Sequence, residues 1–147
     1  MAIIPRPQNP LAYSKDGFNE YGDYVKHLGM KNQSFSSFEN MGTINQTYLS
    51  NFFRFVDDFS KRGITIMFSY PSFEEKSFNN SAALIHELDM SLRAKQNLQV
   101  ISTPESSCYP AAYFYDSAYH LNMEGRVIRT NQLIQDLQAS GRLPVIE

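Results

Sequence analysis

The chain has 147 residues, 42% of them hydrophobic and 19% charged, with a formal net charge of −2. That length suits a single domain with a buried core. The near-neutral balance, with Lys and Arg scattered singly apart from Lys61-Arg62, excludes the electrostatic footprint of a nucleic-acid or anionic-membrane binder. Cys108 is the single cysteine, which excludes an intramolecular disulfide and a Cys-based metal site and reads as a plain thiol.

Residues 1 to 43 are poorly periodic and read as an irregular N-terminal segment that packs on, or swaps from, a body spanning 44 to 147. Pro5, Pro7 and Pro10 punctuate its start, and Asp16-Gly17 is a turn signal. The opening Met1 to Pro7 lacks both a charged n-region and a long apolar run, so it does not read as a signal peptide, and the expectation as encoded is cytoplasmic. No apolar run is long enough to predict a membrane span. Tyr21, Tyr24, Val25 and Leu28 fall at helical spacing and predict a short helix ended by Gly29. Asn32 to Gly42 reads as a loop pinned to the body by Phe35 and Phe38.

From Ile44 the pattern sharpens. Tyr48, Phe52, Phe55, Val56 and Phe59 mark one face of a helix over about 44–62, capped by Thr43 or Asn45 and closed by Gly63. Ile64 to Ser69 predicts a strand buried on both faces, stopped by Pro71. Asn79-Asn80-Ser81 predicts the cap of a second helix over 81–96, with Leu84, Ile85, Leu88 and Leu92 inward. A second short strand follows at 98–102, and a last helix at 122–139 with Val127, Ile134 and Leu137 inward. Helix, strand, helix, strand, loop, helix is the rhythm of an α/β domain with a parallel sheet.

Residues 114 to 130 carry the chemistry. Asp116 precedes His120 in a polar, aromatic turn, and Asn122 and Glu124 open the final helix. A His positioned by a carboxylate is the general-base half of a Ser-His-Asp triad. A structural His that caps or packs the helix is the competing reading. The carboxylate nearby, and a βα loop at the carboxyl end of the sheet where α/β folds place ligands, favour the catalytic one. His27 and His86 lack that context and read as structural. The pairs Asp57-Asp58 and Glu74-Glu75 diverge on any regular element and read as solvated surface, so no metal site or other cofactor is predicted.

The string Asp116-Ser117-x-x-His120-Leu121-Asn122-x-x-Gly125, followed by Thr130, resembles the last block of the SGNH/GDSL hydrolases in its bacterial cell-envelope version. The likeness extends loosely back to about Ile44. It implies a flavodoxin-like parallel sheet with flanking helices, incomplete here, and an ancestry in ester hydrolysis or acyl transfer on a small acyl or glycan ester. Members of that family are often exported. It also implies catalytic roles for Asp116 and His120, although three residues separate the pair here and the commonest family spacing is two.

No Gly-Asp-Ser, Gly-x-Ser-x-Gly or Gly-x-Asn string supplies a nucleophile or oxyanion donors. Ser69 is the best internal candidate by position alone. By the resemblance, Ser69 and Tyr70 correspond to a segment that lines the site without attacking. The expectation is a chain that keeps the Asp/His block, lacks the serine block and is inactive alone. The alternative is a non-catalytic α/β binding or assembly module. Few strands leave bare sheet edges, which predicts a homo-oligomer, or pairing with an upstream segment that carries the serine.

Overall fold

The computed structural model describes residues 15–39 and 42–144. The chain divides into two compact units, Met1–Lys31 and Asn32–Glu147. The expectations drawn from Pro5, Pro7, Pro10 and the opening residues lie outside the described residues.

In the first unit, the helix expected over Tyr21 to Leu28 does not form. Phe18 and Tyr24 instead make an antiparallel bridge. Asn19 organises the turn between them, its side-chain oxygen accepting from the amides of Tyr21 (3.0 Å) and Asp23 (2.8 Å). Gly22 supplies the positive φ of 85° that the turn requires. Asn-type side chains compete with helical bonding in this way, and the competition outweighs four apolar residues at helical spacing. Only a single 3₁₀ turn, Lys26–Gly29, follows.

The second unit is mixed α/β. Helix α1 spans Gln46–Ser60 and is capped by Asn45, whose side chain accepts from the amides of Thr47 and Tyr48. It closes at Gly63 (φ 73°), with Gly63 N donating to Ser60 O and Ile64 N to Phe59 O, the 5→2 and 6→1 pair that a left-handed glycine permits. Val56 is wholly buried, and the Phe52 ring meets Phe68 edge-on at 6.2 Å. Two of the five residues expected inward, Tyr48 and Phe55, remain exposed.

Strand β1 (Ile66–Phe68) pairs in parallel with β3 (Leu98–Val100), Met67 facing Gln99. Helix α2 (Glu75–Ala94) makes the crossover between them. Its Leu84, Ile85, Leu88 and Leu92 line an apolar groove with Phe52 of α1 and Phe68 of β1, so both helices cover the Phe68 face of the sheet.

Two features at the start of α2 correct the sequence reading. The helix begins six residues before Ser81, because the Glu74 carboxylate accepts from the amides of Lys76 (3.1 Å) and Ser77 (2.8 Å). Glu is not among the preferred N-cap residues, and Asn79-Asn80-Ser81, a better cap by type, lies inside the helix. Glu74 is also buried rather than solvated. Burial raises the energy of its charge, but the Ser77 hydroxyl and amide, the Ser37 hydroxyl and the Lys76 amide outweigh that and hold the carboxyl below its ordinary range.

A second parallel pair, missed at two residues per strand, joins β2 (Phe73–Glu74) to β4 (Cys108–Tyr109). Helix α3 spans Met123–Ala139. Among the described residues no helix is long and apolar enough to cross a membrane.

Helix α3 departs from the expectation at two of the three residues placed inward, while the third, Leu137, is part-buried. Val127 (50% exposed) and Ile134 (41%) face outward, while Gly125, Arg129, Gln132 and Asp136 face the body. The inner face carries charge as well as the part-buried Leu133 and Leu137. Arg129 Nη2 donates to Ser69 Oγ (2.6 Å) and to Tyr70 O (2.9 Å), just past the end of β1.

Candidate functional site

The loop between the 3₁₀ turn Ala111–Tyr113 and α3 is closed by backbone pairing. Phe114 and Leu121 form an antiparallel bridge, and Tyr115 N donates to His120 O (2.7 Å). Residues 115 to 120 are thereby drawn into a tight turn, which brings Asp116 round to His120. Asp116 Oδ1 lies 2.8 Å from His120 Nδ1. The three-residue spacing does not prevent the contact, because the connection is a closed turn rather than a helix.

Both side chains are part-exposed, Asp116 at 32% and His120 at 40%. A carboxylate at Nδ1 favours the tautomer with the proton on Nδ1, leaving the basic lone pair on Nε2. That is the arrangement a general base needs.

The rest of the motif holds this turn in place. Asn122 caps α3 by accepting from Gly125 N (3.0 Å), and its amide donates to Ala112 O (2.8 Å) and to Asn32 Oδ1 (3.1 Å). Gly125 is required by space, since a Cβ there would lie 2.4 Å from Tyr113 O. Leu121 supplies one half of the bridge, and Ala118 O accepts from Glu74 N (2.9 Å), tying the turn to β2. The Ser117 hydroxyl is buried with no hydrogen-bond partner among the described residues, and Thr130 is exposed.

The segment after Lys31 braces the turn from outside the motif. Gln33 N donates to Tyr115 O (2.6 Å) and Gln33 Nε2 to the Tyr115 hydroxyl (2.8 Å). Phe35 meets the buried Phe114 edge-on at 6.2 Å. Phe38 stacks on Phe73 (5.9 Å) and on Tyr119 (6.1 Å), and Tyr119 meets the His120 ring edge-on at 4.6 Å. Phe35 and Phe38 therefore pin the loop, as their aromatic character suggested.

Ser69 is placed differently from the dyad. Its oxygen accepts from the Arg129 guanidinium and its hydroxyl donates to Ser102 Oγ at 3.3 Å. Neither partner can take a proton from it at neutral pH. Tyr70 is a buried hub: its amide donates to Ser102 Oγ, its carbonyl accepts from Arg129 and the Ser107 hydroxyl, and its own hydroxyl donates to Asp89 (2.9 Å). Burial, with the Asp89 hydrogen bond added, pushes the Tyr70 hydroxyl far above its ordinary range, so it stays protonated. Arg93 and the Tyr70 hydroxyl more than offset burial at Asp89 and keep that carboxyl low.

The remaining candidates separate as their types suggested. Asp57 pairs with Lys95 and Asp58 with Lys61, in different directions. His86 lies 3.4 Å from Glu105 at the surface, and His27 stacks on Tyr24. Burial first, and the neighbouring Glu75, Glu74 and Glu105 after it, raise the Cys108 thiol, the opposite of what a reactive thiolate requires. Among the described residues no group of His, Cys, Asp and Glu could hold a metal ion.

Arg129 is the residue that reading by type passed over. A signal for it was present: Gly125 marks the buried side of α3, and Arg129, Gln132 and Asp136 follow it at helical spacing. Against known proteins, no family model, no curated protein and no solved structure matches this chain.

Proposed function

We propose that this chain is the acid-and-base part of an SGNH/GDSL-type hydrolase, a piece of a flavodoxin-like α/β domain. In it Asp116 orients His120 as a general base for ester hydrolysis or acyl transfer. The observation that carries the reading is the 2.8 Å contact between Asp116 Oδ1 and His120 Nδ1. It is supported by the role each motif residue takes around that contact: Asn122 caps the helix, Gly125 permits the close approach and Leu121 closes the turn. The nucleophile and the oxyanion donors belong to a segment of other sequence, because Ser69, the best candidate by position among the described residues, is engaged by Arg129. Ser69 and Tyr70 then serve as supports of the site wall. A second reading, a non-catalytic assembly module, draws on the outward apolar side of α3.

A positioned His alone contributes only about 10²–10⁴-fold. The isolated chain should therefore show no turnover of p-nitrophenyl acetate above buffer and no labelling by a fluorophosphonate probe. Nitrogen-15 NMR should find the neutral His120 ring protonated at Nδ1, and Asp116→Asn should shift it toward the other tautomer. A ring protonated at Nε2 in the wild type would remove the general-base assignment. Robust turnover abolished by both His120→Ala and Ser69→Ala would replace the incomplete-site reading with Ser69 as nucleophile.

A further inference from the structure

The outward side of α3 carries large apolar side chains among its polar residues. Met123 (54% exposed), Val127 and Ile134 lie along one stripe of the helix, opposite Gly125, Arg129 and Asp136. Large side chains aligned in this way mark an interaction surface rather than scattered surface apolarity. We propose that this stripe is a homodimer seam, in which α3 packs antiparallel against α3 of a second copy across a two-fold axis near Thr130 and Asn131.

The choice of a second copy rests on self-complementarity. A two-fold contact must present the same patch from both sides, so like charges near the axis would oppose it. Here the middle of the stripe is Thr130 and Asn131, uncharged and exposed, with Val127 and Ile134 placed symmetrically to either side. In the antiparallel arrangement Val127 meets the partner's Ile134. The charges beside the stripe, Glu124 and Arg126, lie toward one end of the helix. At 1.5 Å per residue they sit roughly 20 Å and 13 Å along the axis from their own copies. A parallel arrangement would set Arg126 against the partner's Arg126, and the same sequence disfavours it.

A seam of one helix against another buries less than the ~800 Å² per partner of a standard interface, so the association is weak. In sedimentation equilibrium the average mass should rise from the 16.9 kDa of one chain toward twice that value at roughly 0.1–1 mM. Val127→Glu with Ile134→Glu should leave one chain throughout that range, with an unchanged far-ultraviolet spectrum, because both residues are exposed. A second measurement does not depend on those variants. Asn131→Cys, next to the axis, should form a disulfide-linked dimer on mild oxidation, and Arg54→Cys, on an exposed position of α1, should not. A chain that stays monomeric at 1 mM overturns the proposal. So does a dimer that survives the double substitution, or cross-linking at position 54 as efficient as at position 131.

Discussion

Helices α1 and α3 have similar lengths, and they bury different kinds of surface. Helix α1 turns Phe52 and Val56 to the sheet and leaves Arg54 and Asp58 to solvent. Helix α3 turns Arg129, Gln132 and Asp136 to the body and leaves Val127 and Ile134 outside. Hydrophobic periodicity states that a helix has an apolar side; which side meets the domain is decided by what the domain offers. Under α1 lies Phe68. Under α3 lie the Tyr70 carbonyl and the Ser69 hydroxyl at the end of β1, acceptors to which an apolar face could offer no donor.

The contrast breaks most directly at Arg129. Arg129→Met removes both hydrogen bonds to the end of β1 and strips the buried Asp136 of its nearest cation, 4.0 Å away. Hydrogen bonds from a charged group are worth ~1.5–3 kcal/mol each, and partial re-solvation returns some of that. We expect a loss of about 2–3 kcal/mol, read as a lower urea midpoint at unchanged slope. Adding Asp136→Leu should recover part of the loss, because the uncompensated carboxylate is then gone. A double variant less stable than Arg129→Met alone would mean that the Gln132 amide, which donates to Asp136 Oδ1 at 3.0 Å, holds that carboxylate more strongly than Arg129 does.

The legible parts of the fold were those fixed by local pattern. The spans of α1 and α3, the two longer strands and the Gly63 closure all follow from apolar runs, an Asn cap and a glycine at the right place. Their parallel pairing follows from the crossover helix between them. The illegible parts depend on contacts distant in sequence. Glu74 caps α2 while buried against Ser77, Ser37 and the Ala118 turn, and β2 and β4 are too short to carry a pattern. The orientation of α3 depends on Ser69 and Tyr70, some sixty residues away. At the site, Asp116 and His120 were legible as a pair because they are near neighbours in sequence. The bracing by Asn32 and Gln33 was not, because Ala112 and Tyr115 are roughly eighty residues further on, and Phe38 was legible as a pin without its partner Tyr119.

The two helices also differ at their caps. Asn45 only accepts from two amides at the start of α1, and Asn45→Ala should cost about 1 kcal/mol. Asn122 caps α3 and in addition donates to Ala112 O and Asn32 Oδ1, so its loss also frees the 3₁₀ turn before the site loop. Asn122→Ala should therefore cost about 2 kcal/mol. It should also loosen the Asp116–His120 geometry, seen as faster exchange of the two amides that donate across the turn, at Tyr115 and at position 122, whereas Asn45→Ala should leave those amides unchanged. Equal losses with no change in exchange would reduce Asn122 to an ordinary cap.

The smallest effect is set by pH and belongs to α2, which starts between the two. Glu74 is ionised and buried, and its carboxyl titrates below its ordinary range because the Ser77, Ser37 and Lys76 donors outweigh burial. A folded-state value below the unfolded one means that the carboxylate adds stability above the unfolded value of ~4.3. That contribution is lost as pH falls through the lower folded value. Glu74→Gln keeps an acceptor for the helix amides and loses the charge that faces the helix N-terminus. The variant should thus be less stable than wild type by about 1 kcal/mol or less at neutral pH. The gap should close as pH falls below ~4, where wild-type Glu74 also becomes neutral. Urea midpoints of the two proteins at pH 7, 5 and 3 measure this directly. A gap that stays constant down to pH 3 would assign the stabilisation to the shape of the side chain rather than to its charge.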